Sequence, residues 1–431
     1  MQALADRTLS GWLAHIESVH PRMIDLSLDR PRRVLHCLCP DAPKVVITVA
    51  GTNGKGSTVS MLDAVYRAAG YRVGTYTSPH LVHYGERIRV NGLKASDDSL
   101  CQAFHKIDQV RGVIPLTYFE FGTLAAVEIF AEAALDVWIM EVGMGGRLDA
   151  VNVLEPDLAI ITSVDLDHQT WLGDSRDAIA KEKAGILRFK GRAVVSDPAP
   201  PEALLSRLGT LQCELRLMNR DFQIEDAGTG KWVFSPVGTS WKESSSIGDL
   251  EVTASSPAWA QNLAGSLAAL RMLEDDLPLE PQHLETLQTL TLPGRQQRSE
   301  GAITTWLDVS HNLQAATALA VQLRAESIKG KTRAVFAMLQ DKDIAGTIEV
   351  MRDCIDYWYP VALTGARTMP ASDFRSALAG LRGADQEFSA SPREAYRMAV
   401  EASQAGDRVV VFGSFYLVGD ILDWQLERTP G

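Results

Sequence analysis

The chain alternates short apolar, β-branched runs with segments of helical periodicity, starting with a run from Lys44 to Ala50. This run predicts a strand, and it is followed by a glycine-rich turn and a helix-like segment from about Ser57 to Ala69. Further strands are predicted at Val73–Tyr76, Val137–Val142, Leu158–Ser163 and Ala193–Ser196, with amphipathic stretches between several of them. Strands that alternate with helices indicate a mostly parallel sheet covered on both faces.

The pattern changes after this first block. A polar stretch from about Asp226 to Ile247 predicts hairpins, and helical periodicity resumes at Ala258–Leu273 and near Leu284. The pattern then breaks around Leu292–Arg295, and a second alternating block begins. Its predicted strands are Thr304–Val309, Ala334–Met338, Tyr357–Ala362 and Val409–Phe412.

These two blocks predict two domains in an α/β protein. A chain of 431 residues is too long for one core, since domains typically hold roughly 100–200 residues. We expect residues 1–294 to form a P-loop-type mononucleotide-binding domain with a mostly parallel sheet. We expect residues 295–431 to form a smaller, Rossmann-like α/β domain.

Composition and charge narrow the class of protein. The chain is 46% hydrophobic and 22% charged, and no apolar run approaches the ~18 residues of a membrane span. Its first residues lack a basic region followed by an apolar stretch, so we expect a cytoplasmic protein. A net charge of −12 argues against nucleic-acid binding. The five cysteines form no paired C-x-x-C sets, which favours free thiols over disulfides or zinc.

The glycine-rich turn predicts a phosphate-binding loop. It reads Gly-Thr-Asn-Gly-Lys-Gly-Ser-Thr over residues 51–58, and it lies between a predicted strand and a predicted helix. Glycines allow close backbone approach, amides can point at phosphate oxygens, and a helix N-terminus favours anions. Lys55 would reach the β- and γ-phosphates, and Ser57 or Thr58 would reach the metal ion. The strict G-x-x-x-x-G-K-[ST] pattern is not met, so a plain glycine turn is the alternative.

The loop resembles the nucleotide loop of the Mur ligase superfamily, and more particularly that of its folylpolyglutamate synthase family. Other segments follow in the order of that family: Thr77–Leu81, Glu86–Ile88, Thr117–Glu120, Glu141–Asp149, Leu166–His168, Lys181–Ile186, Leu292–Arg295 and Leu307–Asn312. The early segment Met23–Leu28 resembles members that carry two activities. The resemblance therefore implies an ATP-dependent ligase that adds L-glutamate to dihydropteroate and to tetrahydrofolate through an acyl phosphate.

The same resemblance implies the metal and catalytic residues. Ser78 and Glu141 would bind magnesium, and His168 would bind a second magnesium, with substrate positioning as the alternative for His168. Lys55, His168 and Lys183 would be catalytic. Lys183 would carry a carbamate, which turns a cation into an anion that can hold metal, and the alternative is an ordinary surface lysine. A potassium ion is a further expected cofactor.

Two sets of residues are assigned to ligands by the resemblance. ATP would be bound by Gly51, Thr52, Asn53, Gly54, Lys55, Gly56, Ser57, Thr58, Asn262, Arg295, Asp308 and His311. Because these lie on both sides of residue 295, we expect domain closure to exclude water from the acyl phosphate. The pterin would be bound by Thr117, Phe119, Glu120, Asp149 and Ala150, although Phe119 could equally be helix-packing core.

Three alternatives remain open at this stage. A UDP-muramyl amino-acid ligase of the same superfamily usually carries an additional N-terminal domain, and only about 43 residues precede the first predicted strand. A second alternative is an enzyme that only polyglutamylates folates. A third is a nucleotide-dependent switch that binds ATP without ligation. The expected partners are dihydropteroate, tetrahydrofolate, L-glutamate and ATP, with no nucleic acid or membrane, and we expect a monomer.

Overall fold

A computed structural model describes residues 7–239, 241, 245–363, 368, 371–381, 389 and 391–428. The chain divides into two compact units, one within Met1–Pro79 and Tyr84–Leu290, the other within His80–His83 and Thr291–Gly431. The first contains an eight-stranded and a three-stranded sheet, and the second a five-stranded sheet. The predicted fold class, two α/β parts with a mostly parallel sheet in the larger one, is confirmed. The bounds 1–294 and 295–431 stay a prediction.

The large sheet of the first unit has the strand order β4-β3-β2-β5-β1-β6-β7-β8. Along this order, all neighbouring strands from β2 across to β8 pair parallel, whereas β3 pairs antiparallel with both β2 and β4. Its strands are β1 (Val45–Ala50), β2 (Val73–Tyr76), β3 (Ile88–Val90), β4 (Leu93–Lys94), β5 (Val137–Glu141), β6 (Leu158–Ile161), β7 (Arg192–Val195) and β8 (Glu214–Leu217). The central strand β1 is buried throughout, as expected for a parallel strand covered on both faces.

Helices cover this sheet, and a small antiparallel sheet follows it. The helices are α1 (Leu9–Val19), α2 (Asp29–Leu38), α3 (Lys55–Ala68), α4 (Asp97–Arg111), α5 (Tyr118–Glu132), α6 (Gln169–Leu172), α7 (Arg176–Lys183), α8 (Glu202–Thr210) and α9 (Pro257–Met272). The 3-10 segments are Tyr84–Arg87, Ala150–Val153, Ala184–Ile186 and Pro281–Gln288. The small sheet contains β9 (Phe222–Gly228), β10 (Lys231–Pro236) and β11 (Leu250–Thr253) in the order β11-β10-β9.

The second unit has the strand order β12-β13-β16-β14-β15, in which only β12 pairs antiparallel. Consecutive residues of β14 face opposite sides of the sheet, as the period of a strand requires. Phe336 packs in one hydrophobic cluster and Val335 in another. The elements are β12 (Gln297–Ser299), β13 (Thr304–Asp308), α10 (Leu313–Ala325), β14 (Thr332–Phe336), α11 (Ile344–Met351), a 3-10 turn (Arg352–Cys354), β15 (Tyr357–Pro360), α12 (Ala371–Ala377), α13 (Pro392–Glu401), β16 (Arg408–Phe412) and α14 (Phe415–Arg428).

Parallel strands bring their carboxyl ends to one edge of the large sheet. Val49 of β1 pairs with Glu141 of β5, and Ala50 pairs with Ile161 of β6. The loops that follow β1, β2, β5 and β6 therefore start at the same edge, where open α/β sheets place ligand-binding residues. Among the described helices, none has both the length and the apolar character needed to cross a bilayer.

Candidate active site

The phosphate loop connects β1 to α3 as predicted, and it lies against α9. Gly54 caps α3 with a φ of +86°. A Cβ atom at Gly54 would lie 2.2 Å from Oδ1 of Asn262, so the Asn262 side chain lies directly against the loop. The first turn of α3 leaves the amides of Lys55, Gly56 and Ser57 without acceptors inside the helix. These amides and the helix dipole favour an anion at this end of α3.

Two further loop amides, those of Thr52 and Asn53, are already used within the protein. The amide of Thr52 donates to the carbonyl of Ser163 at 2.8 Å, and the amide of Asn53 donates to the Ser163 hydroxyl at 3.0 Å. The Thr52 hydroxyl donates to the Asp165 carbonyl at 3.0 Å and accepts from the Asp165 amide at 3.0 Å. Thr52 and Asn53 therefore hold the loop in place, whereas the anion-binding amides start after them.

Lys55 and Thr58 provide the polar side chains of the loop. The Lys55 ammonium donates to the carbonyls of Gly51 at 2.9 Å and Thr52 at 3.1 Å, so it lies over the loop. The Thr58 hydroxyl is fully buried and has no hydrogen-bond partner among the described residues. A buried hydroxyl without a partner is costly, and a phosphate oxygen or metal ion would satisfy it. Ser57 is also buried.

Ser78 and Glu141 meet at the neighbouring strand ends. The Ser78 amide donates to Oε2 of Glu141 at 3.1 Å, and Glu141 is only 3% exposed at the end of β5. Among the described residues, no cluster of three or more His, Cys, Asp or Glu side chains could hold a metal. One carboxylate and one hydroxyl instead fit a magnesium ion that completes its shell with water and phosphate oxygens.

His168 follows β6 and is held by Asp167. Its backbone has a φ of +51°, which is unusual for a residue other than glycine, and its amide donates to Oδ1 of Asp167 at 2.8 Å. The imidazole Nε2 lies 3.9 Å from Oδ2 of Asp167. Asp167, to which the sequence analysis assigned no role, therefore fixes the backbone of the histidine predicted to bind metal.

Lys183 is buried at the end of α7, which excludes the alternative of a surface lysine. Among the described residues, none makes a hydrogen bond or ion pair with its amine. Burial lowers the pKa of Lys183 to about 7, and the nearby positive charge of Lys55 adds to this. Asp167 and Asp149 act in the opposite direction. About half of such a lysine is neutral at pH 7, and the neutral amine is nucleophilic.

The five predicted pterin residues lie around α5 and the Ala150–Val153 turn, and three of them support backbone. Thr117 caps α5 in a capping box with Glu120, whose Oε2 accepts from the Thr117 amide at 2.7 Å. Arg30 of α2 donates to Glu120 at 3.0 Å.

Asp149 accepts from the amides of Met144 at 2.9 Å and Val151 at 3.0 Å. Burial nevertheless raises the pKa of Asp149 to about 6. Ala150 is buried in the turn.

Phe119 differs from these residues because its ring is only half-buried. It packs against Tyr76 with ring centroids 5.8 Å apart. A Cβ atom at Gly143 would lie 2.5 Å from Cζ of Phe119, so the glycine-rich loop after β5 lies directly on the ring. Phe119 therefore packs against its neighbours and is still partly exposed, and its contact with a pterin stays a prediction.

The remaining predicted ATP residues lie in the second unit and form their own cluster. The Arg295 guanidinium lies 5.7 Å from the ring centroid of Phe415, and the His311 ring lies 5.5 Å from the same ring. The Asp308 carboxylate accepts from the amides of Gln296 and Ser310, both at 2.8 Å. Burial raises the pKa of Asp308, partly offset by hydrogen bonds and by Arg295. Phe415 was missed from the sequence because nothing distinguished it from an ordinary core residue.

Comparison with known proteins matches this arrangement to one family. Residues 49–269 match the Mur ligase middle domain, and residues 294–415 match the Mur ligase glutamate ligase domain. A relative from Escherichia coli (strain K12), the "Dihydrofolate synthase/folylpolyglutamate synthase", is 39% identical over 426 residues, which cover 98% of this chain and 97% of the relative.

Solved structures show the same likeness. The E. coli protein in complex with DHPP and ADP has a TM-score of 0.91 at 36% identity, over 98% of this chain and 99% of that chain. A bifunctional folylpolyglutamate synthase/dihydrofolate synthase with Mn, AMPPNP and L-glutamate bound has a TM-score of 0.87 at 37% identity, over 99% of this chain and 100% of that chain. The chain therefore belongs to the dihydrofolate synthase/folylpolyglutamate synthase family of Mur ligases, which are ATP-dependent ligases.

Proposed function

We propose that this protein joins L-glutamate to dihydropteroate, giving dihydrofolate, and adds further glutamates to tetrahydrofolate, with ATP as the energy source. The observation that carries the proposal is the phosphate loop with Lys55, at the same sheet edge as Glu141 and the segment that holds His168. It is supported by a relative that bears both activities in its name and by a related structure that contains AMPPNP and L-glutamate.

The reaction takes place in two displacements. A carboxylate oxygen of the acceptor attacks the γ-phosphorus of ATP, and the bond to the bridging oxygen breaks to release ADP. The glutamate amine then attacks the carbonyl carbon of the acyl phosphate, inorganic phosphate leaves, and the amine loses a proton as the amide forms. Lys55 and the amides of α3 stabilise the charge on the transferred phosphoryl group.

Magnesium fits this site through three residues. We propose that Ser78 and Glu141 hold one ion and that His168 holds a second, each ion keeping water or phosphate ligands. Bound magnesium would supply charge neutralisation on the phosphate oxygens. Phosphate release should therefore depend on added magnesium and stop with EDTA, and Glu141→Gln should raise the magnesium concentration needed for half-maximal activity.

Lys183 fits a carbamate. A buried amine, whose pKa is lowered and which has no hydrogen bond or ion pair among the described residues, is well suited to react with carbon dioxide. The resulting anion would lie in the same surroundings as Lys55, whose positive charge contributes to the lowered pKa of Lys183. The potassium ion, the monomeric state and the cytoplasmic location stay predictions.

We also propose roles for the substrate-binding residues. Phe119 would stack on the pterin ring within the cluster of Thr117, Glu120, Asp149 and Ala150. Arg295, Asp308 and His311 would contact ATP from the second unit, together with Asn262 from the first. Support comes from the partial exposure of Phe119, from the contact of Asn262 with Gly54, and from the contacts that Arg295 and His311 both make with the Phe415 ring.

The decisive experiment measures phosphate release by the purified protein with ATP, magnesium and glutamate, and compares dihydropteroate, tetrahydrofolate and no acceptor. We expect release with both acceptors, with each product heavier by one glutamate residue in mass spectrometry. Release with tetrahydrofolate alone would restrict the activity to polyglutamylation. Release that ignores glutamate and acceptor would contradict ligation and favour a nucleotide switch.

A further inference from the structure

The backbone amide and carbonyl of Asn53, in the middle of the phosphate loop, are both held by hydroxyl groups. Its carbonyl accepts from Oγ1 of Thr162 at 2.6 Å and from Oγ of Ser163 at 3.2 Å. Its amide donates to the same Ser163 hydroxyl at 3.0 Å. Two side chains from a neighbouring strand end therefore fix the orientation of the two peptide units on either side of the Cα atom of Asn53.

Thr162 and Ser163 are themselves rigidly placed. They directly follow β6, and they are 0% and 4% exposed. The Thr162 carbonyl accepts from Gln261 of α9 at 3.0 Å and from the Ser196 hydroxyl at 3.2 Å. A Cβ atom at Gly51 would lie 1.8 Å from Oγ1 of Thr162, so the loop approaches this hydroxyl as closely as a glycine allows.

We propose that Thr162 and Ser163 are positioning residues of the nucleotide site, a role that rests on the proposed ATP-dependent function. By holding the backbone of Asn53, they keep the start of α3 in the conformation that presents the amides of Lys55, Gly56 and Ser57 to phosphate. Without the two hydroxyls, the half-buried Asn53 carbonyl loses two hydrogen-bond donors, and the loop must reorganise before it can bind nucleotide.

The same segment connects the loop to the residues proposed to bind metal. Asp165 exchanges two hydrogen bonds with the Thr52 hydroxyl, and Asp167 and His168 follow immediately in the chain. Thr162–His168 thus supports the phosphate loop at one end and carries the histidine at the other. A loop displaced by loss of the hydroxyls should weaken nucleotide binding while leaving the surroundings of Phe119 unchanged.

The test compares Thr162→Val and Ser163→Ala with two controls. Thr162→Ser keeps the hydroxyl and should bind like the wild type. Thr48→Val makes the same isosteric change in β1, at a buried hydroxyl that has no partner among the described residues, and it should have no effect on nucleotide binding. Calorimetric titration with magnesium and AMPPNP measures the Kd, and hydrogen exchange followed by mass spectrometry monitors residues 51–58.

We expect Thr162→Val and Ser163→Ala each to raise the Kd for AMPPNP about five- to tenfold, the effect of a lost buried hydrogen bond. Exchange over residues 51–58 should become faster, while the KM for the acceptor and the Tm stay near wild type. The proposal would be overturned if both variants bound AMPPNP with the wild-type Kd. It would also be overturned if the Tm fell while the Kd for AMPPNP and the KM for the acceptor rose by the same factor. A wild-type protein that does not bind AMPPNP would contradict the proposed function as well.

Discussion

Four acidic side chains of this protein show how burial and partners assign different roles to one chemical group. Glu120, Asp149 and Asp308 each accept hydrogen bonds from backbone amides, so each carboxylate shapes a loop or a helix start. Glu141 also accepts an amide, but it lies at the end of a central parallel strand, beside the strand that leads into the phosphate loop. Asp308 also ends a parallel strand, so the position next to the strand that leads into the phosphate loop, more than burial, distinguishes the candidate metal ligand.

At Lys183, the lowered pKa leads to a pH dependence of carbamate formation. The neutral amine reacts with carbon dioxide, whereas the ammonium, which dominates below a pKa of about 7, does not. In 13C-bicarbonate, we expect a protein carbamate resonance at about pH 8 that weakens as the pH falls through about 7. Lys183→Arg should abolish the resonance, and Lys181→Arg, an exposed neighbour on α7, should retain it. A resonance that survives in Lys183→Arg would contradict the assignment.

Gly143 provides a test of Phe119 that leaves the aromatic side chain in place. Because a Cβ atom at Gly143 would lie 2.5 Å from Cζ of Phe119, Gly143→Ala must displace the ring. We expect the KM for dihydropteroate to rise roughly fivefold while the KM for ATP stays the same, since the loss of one aromatic contact costs ~1 kcal/mol. Gly209→Ala, at a position with open space around the missing Cβ, is the matched control. Equal changes in both KM values would indicate general disruption.

At the level of elements, the capping box of α5 connects stability to the proposed pterin site. Thr117→Ala removes the acceptor for the Glu120 amide, and the loss of such a cap costs about 1 kcal/mol. We expect this decrease in the free energy of unfolding of the first unit, measured by urea denaturation. Thr117→Ser keeps the hydroxyl and should restore most of it. Full stability in Thr117→Ala would mean that the buried pair of Glu120 and Arg30 holds the helix start by itself.

How much of the fold the sequence predicts depends on burial. Strands buried on both faces, such as β1 and β16, consist of apolar β-branched runs, and their predicted positions agree with the structure to within one residue. The small sheet was placed less well, because β9 is largely exposed and lacks an apolar pattern. Its first strand begins at Phe222, before the predicted stretch from Asp226, and part of that stretch lies outside the described residues.

The sequence predicted those site residues that belong to a recognisable chemical motif. It did not predict those that matter only through their contacts with other residues. A lysine among glycines after a strand is recognisable in any chain, and Lys55 lies where this pattern indicates. Thr162, Ser163 and Phe415 have ordinary side chains whose importance comes from what they contact. Their positions at strand ends were the available signal, since β6 and β16 both end next to predicted site residues.

For the whole molecule, a net charge of −12 must be reconciled with binding of polyanionic ATP. The amides at the start of α3, the helix dipole and Lys55 supply local positive potential that overall charge does not show. A ligand bound only by the folded protein raises its stability by mass action, by about 2.7 kcal/mol at a concentration of one hundred Kd. Nucleotide-linked stabilisation therefore measures this local potential independently of catalysis.

We expect AMPPNP with magnesium to raise the Tm of the wild-type transition in scanning calorimetry, with a shift that grows logarithmically with nucleotide concentration. Lys55→Met should reduce this shift strongly, because it removes the cation that lies over the loop carbonyls. Lys94→Met removes the same charge from an exposed position on β4 and should keep the full shift. An equal loss of the Tm shift in both variants would mean that overall charge governs nucleotide binding. A full Tm shift in both variants would mean that Lys55 acts only in the transition state of phosphoryl transfer.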